Sequence, residues 1–294
     1  MQKLHPDEVT IDAVLVHTLL ADQSPEWKDL PLQPIAPPGT DNVMFRLGDS
    51  LALRLPRTEP AAKNIEKECQ WLPKLAPHLP LPIPAPVAQG KPSEVYPLPW
   101  EICQLLPGKN LSVSHLDDLQ QAAKDIGGFI TALQKVDTTN APTCKRGLPL
   151  STRDAETRNA IAQLGGEIDT KQATAFWDHV LSLPQWESKP VWIHGDLHPG
   201  NLLVSNDHIS AVIDWGSCGV GDPAVDCMFA WTVLDARSRH IFRNIVKPDE
   251  ATWERGRGWA FTMGIVAYPY YKVSNPTFAK VAKRAMDEAM RNGV

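Results

Sequence analysis

The sequence lacks the features that mark membrane-spanning, exported and nucleic-acid-binding proteins. No uninterrupted apolar run reaches the roughly 18 residues that a membrane-spanning helix needs, and acidic residues at 7, 8 and 12 interrupt any signal-like segment. The formal net charge is −5, so no basic excess attracts nucleic acid or an anionic membrane surface. We therefore expect a cytoplasmic protein whose partners include neither nucleic acid nor a membrane.

Cysteine is scarce and scattered. The five cysteines stand at positions 69, 103, 144, 218 and 227, without a Cys-x-x-Cys pair. This number and spacing argue against a disulfide framework and against a structural zinc site, and a reducing compartment fits them. The length of 294 residues suits one large domain or two small ones.

Proline content and helical periodicity change near Pro107 and Gly108. Most of the 27 prolines lie before this point, which predicts a loop-rich domain over 1–107 and a mainly helical one over 108–294. Helical spacing over 59–75 predicts one inserted helix in the first domain. Strand-like segments lie around it, at 43–47, 51–57, 86–90 and 98–106.

Two helices of the second domain can be placed by their capping residues. Apolar spacing predicts a helix over 115–136, for which Ser114 would be the cap. Asn275 precedes Pro276, as a cap precedes a first-turn proline, and therefore predicts the start of the last helix.

The segment from Val191 to Gly216, VWIHGDLHPGNLLVSNDHISAVIDWG, is the most informative. Asp196 follows a short apolar strand, and Asn201 begins the next strand of a predicted hairpin that returns Asp214 close to it. Amide and carboxylate oxygens suit Mg²⁺, and Asp196 is left to orient a hydroxyl group and accept its proton. Kinase-type phosphoryl transfer uses these parts in this order.

The motifs HGDLHPGNLLV, VIDWG and GDPAVD resemble those of the aminoglycoside phosphotransferase family, small-molecule kinases with the protein-kinase-like fold. The segments GTDNVMFRL, LALRLPR, EKECQWL and PWEICQLLPG resemble its N-terminal lobe in the same order, so the resemblance covers nearly the whole chain. It implies an α+β bilobal fold, with a small antiparallel-sheet lobe over 1–107 and a larger, mainly helical catalytic lobe over 108–294. It also implies ATP or GTP as donor, Mg²⁺ as cofactor and a small-molecule alcohol as acceptor.

Position by position, the resemblance makes Asp196 the catalytic base, Asn201 and Asp214 the Mg²⁺ ligands, and His194 a supporting residue. It assigns nucleotide binding to a set in the first domain: Gly39, Thr40, Arg54, Glu68, Gln104 and Leu106. In that set Glu68 would pair with Arg54, while the carbonyl of Gln104 and the N–H of Leu106 would meet the base of the nucleotide.

The chain departs from the family pattern at two points. Arg54 stands where the family has lysine, with Arg57 as a rival for the phosphate contact, and the segment PPGTDN has one glycine instead of a Gly-x-Gly-x-x-Gly loop. The Arg54 departure leaves a nucleotide-binding pseudokinase as an alternative. A more remote alternative is a metal-dependent phosphoesterase, whose metal cluster would consist of His194, Asp196, His198 and Asp214.

The family does not determine the acceptor, because its members act on aminoglycosides, macrolides, choline, homoserine and other alcohols. The stretch from Arg237 to Arg291 carries eleven Lys or Arg against five Asp or Glu. It also contains five aromatic residues, Trp253, Trp259, Tyr268, Tyr270 and Tyr271. A basic, aromatic surround predicts an uncharged or singly charged alcohol with an apolar or sugar-like body.

Overall fold

The computed structural model describes residues 10–35 and 41–291, which form two compact units. The N-terminal unit contains the described residues up to Pro77 together with Pro82–Pro107. The C-terminal unit contains His78–Leu81 and the described chain from Gly108 onward.

An antiparallel sheet of five strands forms the N-terminal unit within the described residues, in the order β1-β2-β3-β5-β4. The strands are β1 (Leu32–Pro34), β2 (Asn42–Leu47), β3 (Leu51–Pro56), β4 (Pro86–Gly90) and β5 (Trp100–Gln104). Alternation along β2 buries Val43, Phe45 and Leu47 on one face. These side chains pack in a core with Leu53 and Trp100. The predicted strands are therefore confirmed.

Two helices accompany this sheet, α1 (Ala13–Gln23) and α2 (Glu59–Leu75). Asp12 caps α1 by accepting the Leu15 N–H at 2.9 Å. The predicted helix over 59–75 is confirmed with the same ends, and it buries Ile65 and Leu72.

Helices dominate the C-terminal unit. They are α3 (Leu119–Leu133), α4 (Asp154–Gln163), α5 (Thr170–Leu181), α6 (Ala224–Cys227), α7 (Phe229–Thr232), α8 (Ala236–Val246), α9 (Glu250–Ser274) and α10 (Pro276–Met290). Short strands form two small sheets, one of β6 (Lys109–Asn110), β8 (Leu202–Ser205) and β9 (His208–Val212), the other of β7 (Val191–Ile193) and β10 (Gly219–Gly221). An antiparallel sheet followed by a mainly helical region confirms the α+β fold class.

The prediction for α3 is wrong at its start. The helix begins at Leu119, and its cap is Asp118, which accepts the Gln121 N–H at 2.9 Å. Ser114 instead follows the short 3₁₀ helix Leu111–Val113, where its hydroxyl donates to the Asn110 carbonyl at 2.8 Å, and it lies five residues before Leu119.

The prediction for the last helix is correct. Asn275 accepts the Phe278 N–H at 3.1 Å, and α10 begins at Pro276. Across residues 10–35 and 41–291, no helix combines the length and apolar character that crossing a membrane requires.

Candidate active site

The loop that follows β7 is held by a buried carboxylate. Asp226 accepts the backbone N–H groups of His194 and Gly195, each at 2.8 Å. Gly195 has a φ of +81°, and a Cβ there would lie 3.0 Å from the Ser217 carbonyl oxygen. The chain can therefore turn sharply after the strand, and Asp196 emerges in a fixed position.

His194 supports this loop and carries no charge. Its Nε2 lies 3.0 Å from the Ile213 carbonyl, and its Nδ1 accepts the Asp196 N–H at 3.2 Å. This pair of contacts places the proton on Nε2. Burial lowers the pKa of the His194 ring to about 4, so the ring stays neutral. These contacts agree with the expected supporting role.

Asp196 is ionised and is held from one side. Its Oδ1 forms an ion pair with Arg146, and His198 Nε2 lies 3.7 Å from the same oxygen. Burial alone would raise the pKa of Asp196, but the Arg146 guanidinium, followed by His198, holds that pKa well below its usual range. Oδ2 has no hydrogen-bond partner among the described residues, so it is available to accept a proton from a hydroxyl group.

Sequence reasoning missed Arg146, which lies 50 residues before Asp196. The short turn Lys145–Gly147 carries it, and that turn is fixed against β10. Cys144 N–H donates to the Val220 carbonyl at 3.0 Å, and a Cβ on Gly147 would lie 2.7 Å from the Gly221 Cα. No local signal marks Arg146, because only tertiary pairing brings it to the loop.

The β8–β9 hairpin brings the two predicted metal ligands together. Ile213 N–H donates to the Asn201 carbonyl at 2.9 Å, so Asp214 follows directly beside Asn201. The Asn201 Nδ2 donates to the Asp196 carbonyl at 2.9 Å, which leaves its Oδ1 as the free end of the amide. Asp214 is exposed and has a φ of +63°, a strained conformation that recurs at functional sites.

These two side chains fit the chemistry of Mg²⁺. An amide oxygen and a carboxylate are hard ligands, and Mg²⁺ needs only one or two protein ligands beside water and phosphate. The Asp214 carboxylate has no hydrogen bond or ion pair within the described part of the chain. No cluster of three or more His, Cys, Asp or Glu among those residues could hold a metal ion. The phosphoesterase interpretation, which needs such a cluster, is therefore unsupported by the described residues.

His198 connects the loop to α10. Its Nδ1 accepts the Gly200 N–H at 3.0 Å, and its Nε2 lies 3.3 Å from the Asn201 Nδ2. The ring packs edge-on against Phe278, with 5.0 Å between centroids. Its contacts on both ring nitrogens make it a brace of the loop.

A second carboxylate braces the chain after β10. Asp222 is buried, accepts the Ala224 N–H at 2.9 Å and forms an ion pair with Arg255 at 2.8 Å. Asp222 holds the backbone at the start of α6, whereas Asp226 holds the loop that leads to Asp196. Both aspartates of GDPAVD thus bind backbone N–H groups.

In the N-terminal unit, the predicted ion pair between Arg54 and Glu68 is present. Arg54 is 6% exposed, and its Nη1 lies 2.5 Å from Glu68 Oε2 and 2.7 Å from Glu101 Oε1. Arg57 is also buried, and its N–H donates to the Asp41 carbonyl at 2.8 Å. Which arginine contacts phosphate stays a prediction.

Glu101 is the second residue that sequence reasoning missed. It is the second residue of β5 and is fully buried, with Cys69 Sγ at 3.2 Å from its Oε2. Burial raises the pKa of Glu101 to about 7, although Arg54 works against this. No local signal in the sequence distinguishes Glu101 from an exposed strand residue.

Two of the remaining predicted nucleotide ligands, Gln104 and Leu106, lie at and just beyond the end of β5. Gln104 N–H is already used, since it donates to the Ala85 carbonyl at 3.2 Å. Leu106 N–H makes no hydrogen bond with any other described residue and can serve a ligand. Gly39 and Thr40 lie outside the described residues.

The basic stretch near the C-terminus differs from the expectation drawn from its composition. Trp253 and Trp259 are each 3% exposed and belong to the core, so they cannot line an acceptor site. Arg284 donates to backbone carbonyls of Thr232, Val233 and Leu234. Seven other basic residues form ion pairs: Arg239, Arg243, Arg255, Arg257, Lys272, Lys283 and Arg291. The stretch therefore offers much less positive charge to a ligand than its sequence suggests.

A row of aromatic rings extends from the loop of Asp196 across the end of α9 and the start of α10. We call His198, Phe278, Tyr271 and Tyr270 the aromatic row. Successive ring centroids are 5.0, 4.9 and 4.7 Å apart. Tyr270, at the far end, is 75% exposed. The row offers apolar faces that begin beside the loop of Asp196.

Comparison with known proteins gives one family and several similar structures. The model of a phosphotransferase enzyme family matches residues 32–259. None of the curated protein sequences matches the chain significantly.

Three solved structures illustrate the structural similarity. The GDP and kanamycin complex of APH(2″)-IIIa has a TM-score of 0.73 at 17% identity, over 95% of this chain and 99% of that one. Macrolide 2′-phosphotransferase MphH from Brachybacterium faecium has a TM-score of 0.63 at 23% identity, over 96% and 99%. The ADP-bound aminoglycoside phosphotransferase APH(2″)-Ib has a TM-score of 0.60 at 16% identity, over 95% and 98%. At these identities the similarity concerns the fold, which is of the kinase-like type.

Proposed function

Because the chain belongs to the phosphotransferase enzyme family, we propose that it moves the γ-phosphoryl group of ATP or GTP to a hydroxyl of a small alcohol. The observation that carries this proposal is the loop after β7. It holds an ionised Asp196 with one free oxygen, beside the hairpin that delivers Asn201 and Asp214.

Asp196 acts as the base in this proposal. Its Oδ2 would orient the acceptor hydroxyl and accept its proton as the oxygen attacks the γ-phosphorus. The Arg146 guanidinium keeps Oδ1 in place, and Asp226 keeps the backbone in place through two N–H groups. An aspartate with a low pKa is a weak base, which suits a reaction in which the proton leaves late.

Asn201 Oδ1 and the Asp214 carboxylate would hold Mg²⁺. When bound there, the ion supplies positive charge to the phosphate oxygens of the nucleotide. The Asn201 amide is oriented for this role because its Nδ2 is bonded to the Asp196 carbonyl. The same bond links the metal ligand to the residue that handles the acceptor.

Nucleotide binding is proposed for Arg54, Glu68, Gln104, Leu106, Gly39 and Thr40. Two carboxylates hold the Arg54 guanidinium, so Glu68 would position it rather than contact the nucleotide. Similar structures hold GDP or ADP, which supports either ATP or GTP as donor.

An acceptor with an apolar or sugar-like body is favoured by the aromatic row. Its rings start at His198, whose Nε2 is 3.7 Å from Asp196 Oδ1, and lead away from the reacting position. Aromatic faces suit sugar rings and apolar surfaces. The charge that the acceptor carries is a separate question, since most basic residues near the C-terminus are paired.

A coupled nucleotide-consumption screen tests the proposal at physiological salt. The acceptors are aminoglycosides, macrolides, nucleosides, amino alcohols and sugars, with ATP and GTP as donors and Mg²⁺ present. We expect at least one acceptor to stimulate consumption, and the Asp196→Asn variant to lose that stimulation. Nucleotide binding without stimulation by any acceptor would instead favour the pseudokinase, which the Arg54 departure leaves open.

A further inference from the structure

The proposed catalytic carboxylate has a cation as its direct partner. Arg146 Nη1 forms the ion pair with Asp196 Oδ1 and also lies 3.2 Å from the Gly195 carbonyl. The Arg146 side chain is 38% exposed, and its Nε and Nη2 make no hydrogen bond with the residues that the structure describes. Any acceptor that reaches Asp196 therefore also meets an unsatisfied edge of the guanidinium.

The position of this guanidinium is built into the fold. Gly147 and Gly221 pack closely against each other. A Cβ on Gly147 would lie 2.7 Å from the Gly221 Cα, and a Cβ on Gly221 would lie 2.5 Å from the Gly147 Cα. Asp222 N–H donates to the Gly147 carbonyl at 3.0 Å, which fixes the same turn. Asp226 fixes the loop of Asp196 from the other side. Arg146 and Asp196 are thus presented to each other by two rigid segments.

Two other basic residues, Arg153 and Lys145, lie near Arg146 and can be compared with it. Burial lowers the pKa of Arg153, and the nearby charge of Arg146 lowers it further. Arg153 has its own ion-pair partner, Glu156, at 2.6 Å. Lys145 precedes Arg146 in the same turn and is exposed, without a contact to Asp196. Lys145 therefore carries the same charge in nearly the same place without the ion pair.

We propose that Arg146 determines acceptor specificity, because it occupies the catalytic carboxylate and so selects against alcohols with an ammonium group beside the reacting hydroxyl. The inference rests on the proposed function, since it assumes that the acceptor meets Asp196. An isolated Asp196 would attract an ammonium group. With Arg146 bound, the incoming ammonium loses that attraction and faces a like charge. Neutral alcohols keep access to Oδ2 and lose nothing.

Binding of two matched probes tests this inference. Kanamycin carries several ammonium groups, and fully N-acetylated kanamycin has the same sugar body without them. Calorimetric titrations use the full chain with Mg²⁺ and a nonhydrolysable ATP analogue. In the wild-type protein we expect kanamycin to bind no tighter than the acetylated probe. In Arg146→Gln the affinity for kanamycin should rise about tenfold or more, equivalent to about 1.4 kcal/mol, with little change for the acetylated probe.

Three further variants make the result specific. Arg146→Lys keeps the charge and should behave as wild type, whereas Arg146→Met keeps the aliphatic stem and should behave as Arg146→Gln, even if the latter folds poorly. Lys145→Gln removes a neighbouring charge and should change both affinities less than about twofold. An unchanged kanamycin affinity in both neutral Arg146 variants would overturn the inference, and so would an equal rise in Lys145→Gln.

Failure of the inference and failure of the proposed function can be distinguished. Turnover in the acceptor screen, combined with unchanged kanamycin affinity in the Arg146 variants, would overturn only the role of Arg146. Absence of turnover with every acceptor, combined with the predicted rise in affinity, would overturn the kinase proposal and leave the charge selection at this site intact.

Discussion

Replacing Glu101 by Gln should remove a loss of stability that the N-terminal unit of the wild type undergoes as the pH rises. Glu101 is buried on β5, where it shares the Arg54 guanidinium with Glu68. One cation thus faces two carboxylates, and burial raises the pKa of Glu101 to about 7. Gln keeps the shape and an acceptor oxygen, but it cannot ionise.

The direction and size of the effect follow from linkage. The pKa of Glu101 in the folded chain is about 7, against 4.5 as its ordinary value, so the folded state holds this proton more tightly. Its contribution to stability is complete below pH 4.5 and is lost as the pH rises through 7. Each pKa unit corresponds to about 1.4 kcal/mol, so about 2 to 3 kcal/mol is lost between roughly pH 5 and pH 8. Glu101→Gln should not show this loss.

The assay must report on the N-terminal unit alone, because a chain with two units need not unfold in one step. Labelling with 5-fluorotryptophan gives a fluorine resonance for Trp100, which is buried next to Glu101 and can be assigned with Trp100→Phe. Urea unfolding is followed at this resonance at about pH 5 and pH 8. The stability of Glu101→Gln relative to wild type should rise by about 2 to 3 kcal/mol between these pH values. A pH-independent difference would refute the reasoning.

Two further predictions concern Arg54 and Gly90. Arg54→Ala should weaken the binding of a nonhydrolysable triphosphate more than the binding of adenosine, and Arg57→Ala should have a much smaller effect. Calorimetric titration with both ligands measures these affinities. The reverse ranking of the two variants would assign the phosphate contact to Arg57. Gly90→Ala should destabilise its unit by about 1 to 3 kcal/mol, since the added Cβ overlaps the Trp100 indole. Gly128→Ala, a helix position with nothing within 4 Å, should instead stabilise by about 0.4 to 1 kcal/mol. Urea titration measures both, and equal effects would contradict the packing argument.

Local patterns were sufficient to predict much of the fold. The strands of the first sheet were predicted because short strand-like segments are separated by turn residues, and α2 because its apolar residues recur at helical spacing. The start of α10 could be predicted because Asn275 and Pro276 stand together in the order that begins a helix. The start of α3 could not, because Ser114 and Asp118 are both acceptable caps and only the 3₁₀ turn before them decides.

The order of motifs was sufficient to place Asn201 beside Asp214, because a hairpin of fixed length joins them. Arg146 and Glu101 were beyond local reasoning for different reasons. Arg146 reaches its partner across 50 residues through strand packing, while Glu101 resembles an exposed strand position until burial is known.

Composition alone gave a wrong expectation for the surface charge of the stretch from Arg237 to Arg291. Counting charges there predicted a basic surface, but ion pairs are set by spacing along and between helices. Lys283 and Asp287 pair within α10 at 2.8 Å, and Lys272 reaches Glu167 at 2.7 Å. The positive charge that concerns the acceptor lies instead at Arg146, outside that stretch.

The most direct test of the central claim compares Asp196→Asn with Asp214→Asn, using the best acceptor from the screen. We expect Asp196→Asn to lower the rate of phosphotransfer about 100- to 10,000-fold, while Mg²⁺-nucleotide affinity stays within about twofold of wild type. Asp214→Asn should weaken Mg²⁺-nucleotide binding, because its carboxylate is the proposed metal ligand. Retained turnover in Asp196→Asn, or an equal loss of nucleotide affinity in both variants, would contradict the division between base and metal ligand.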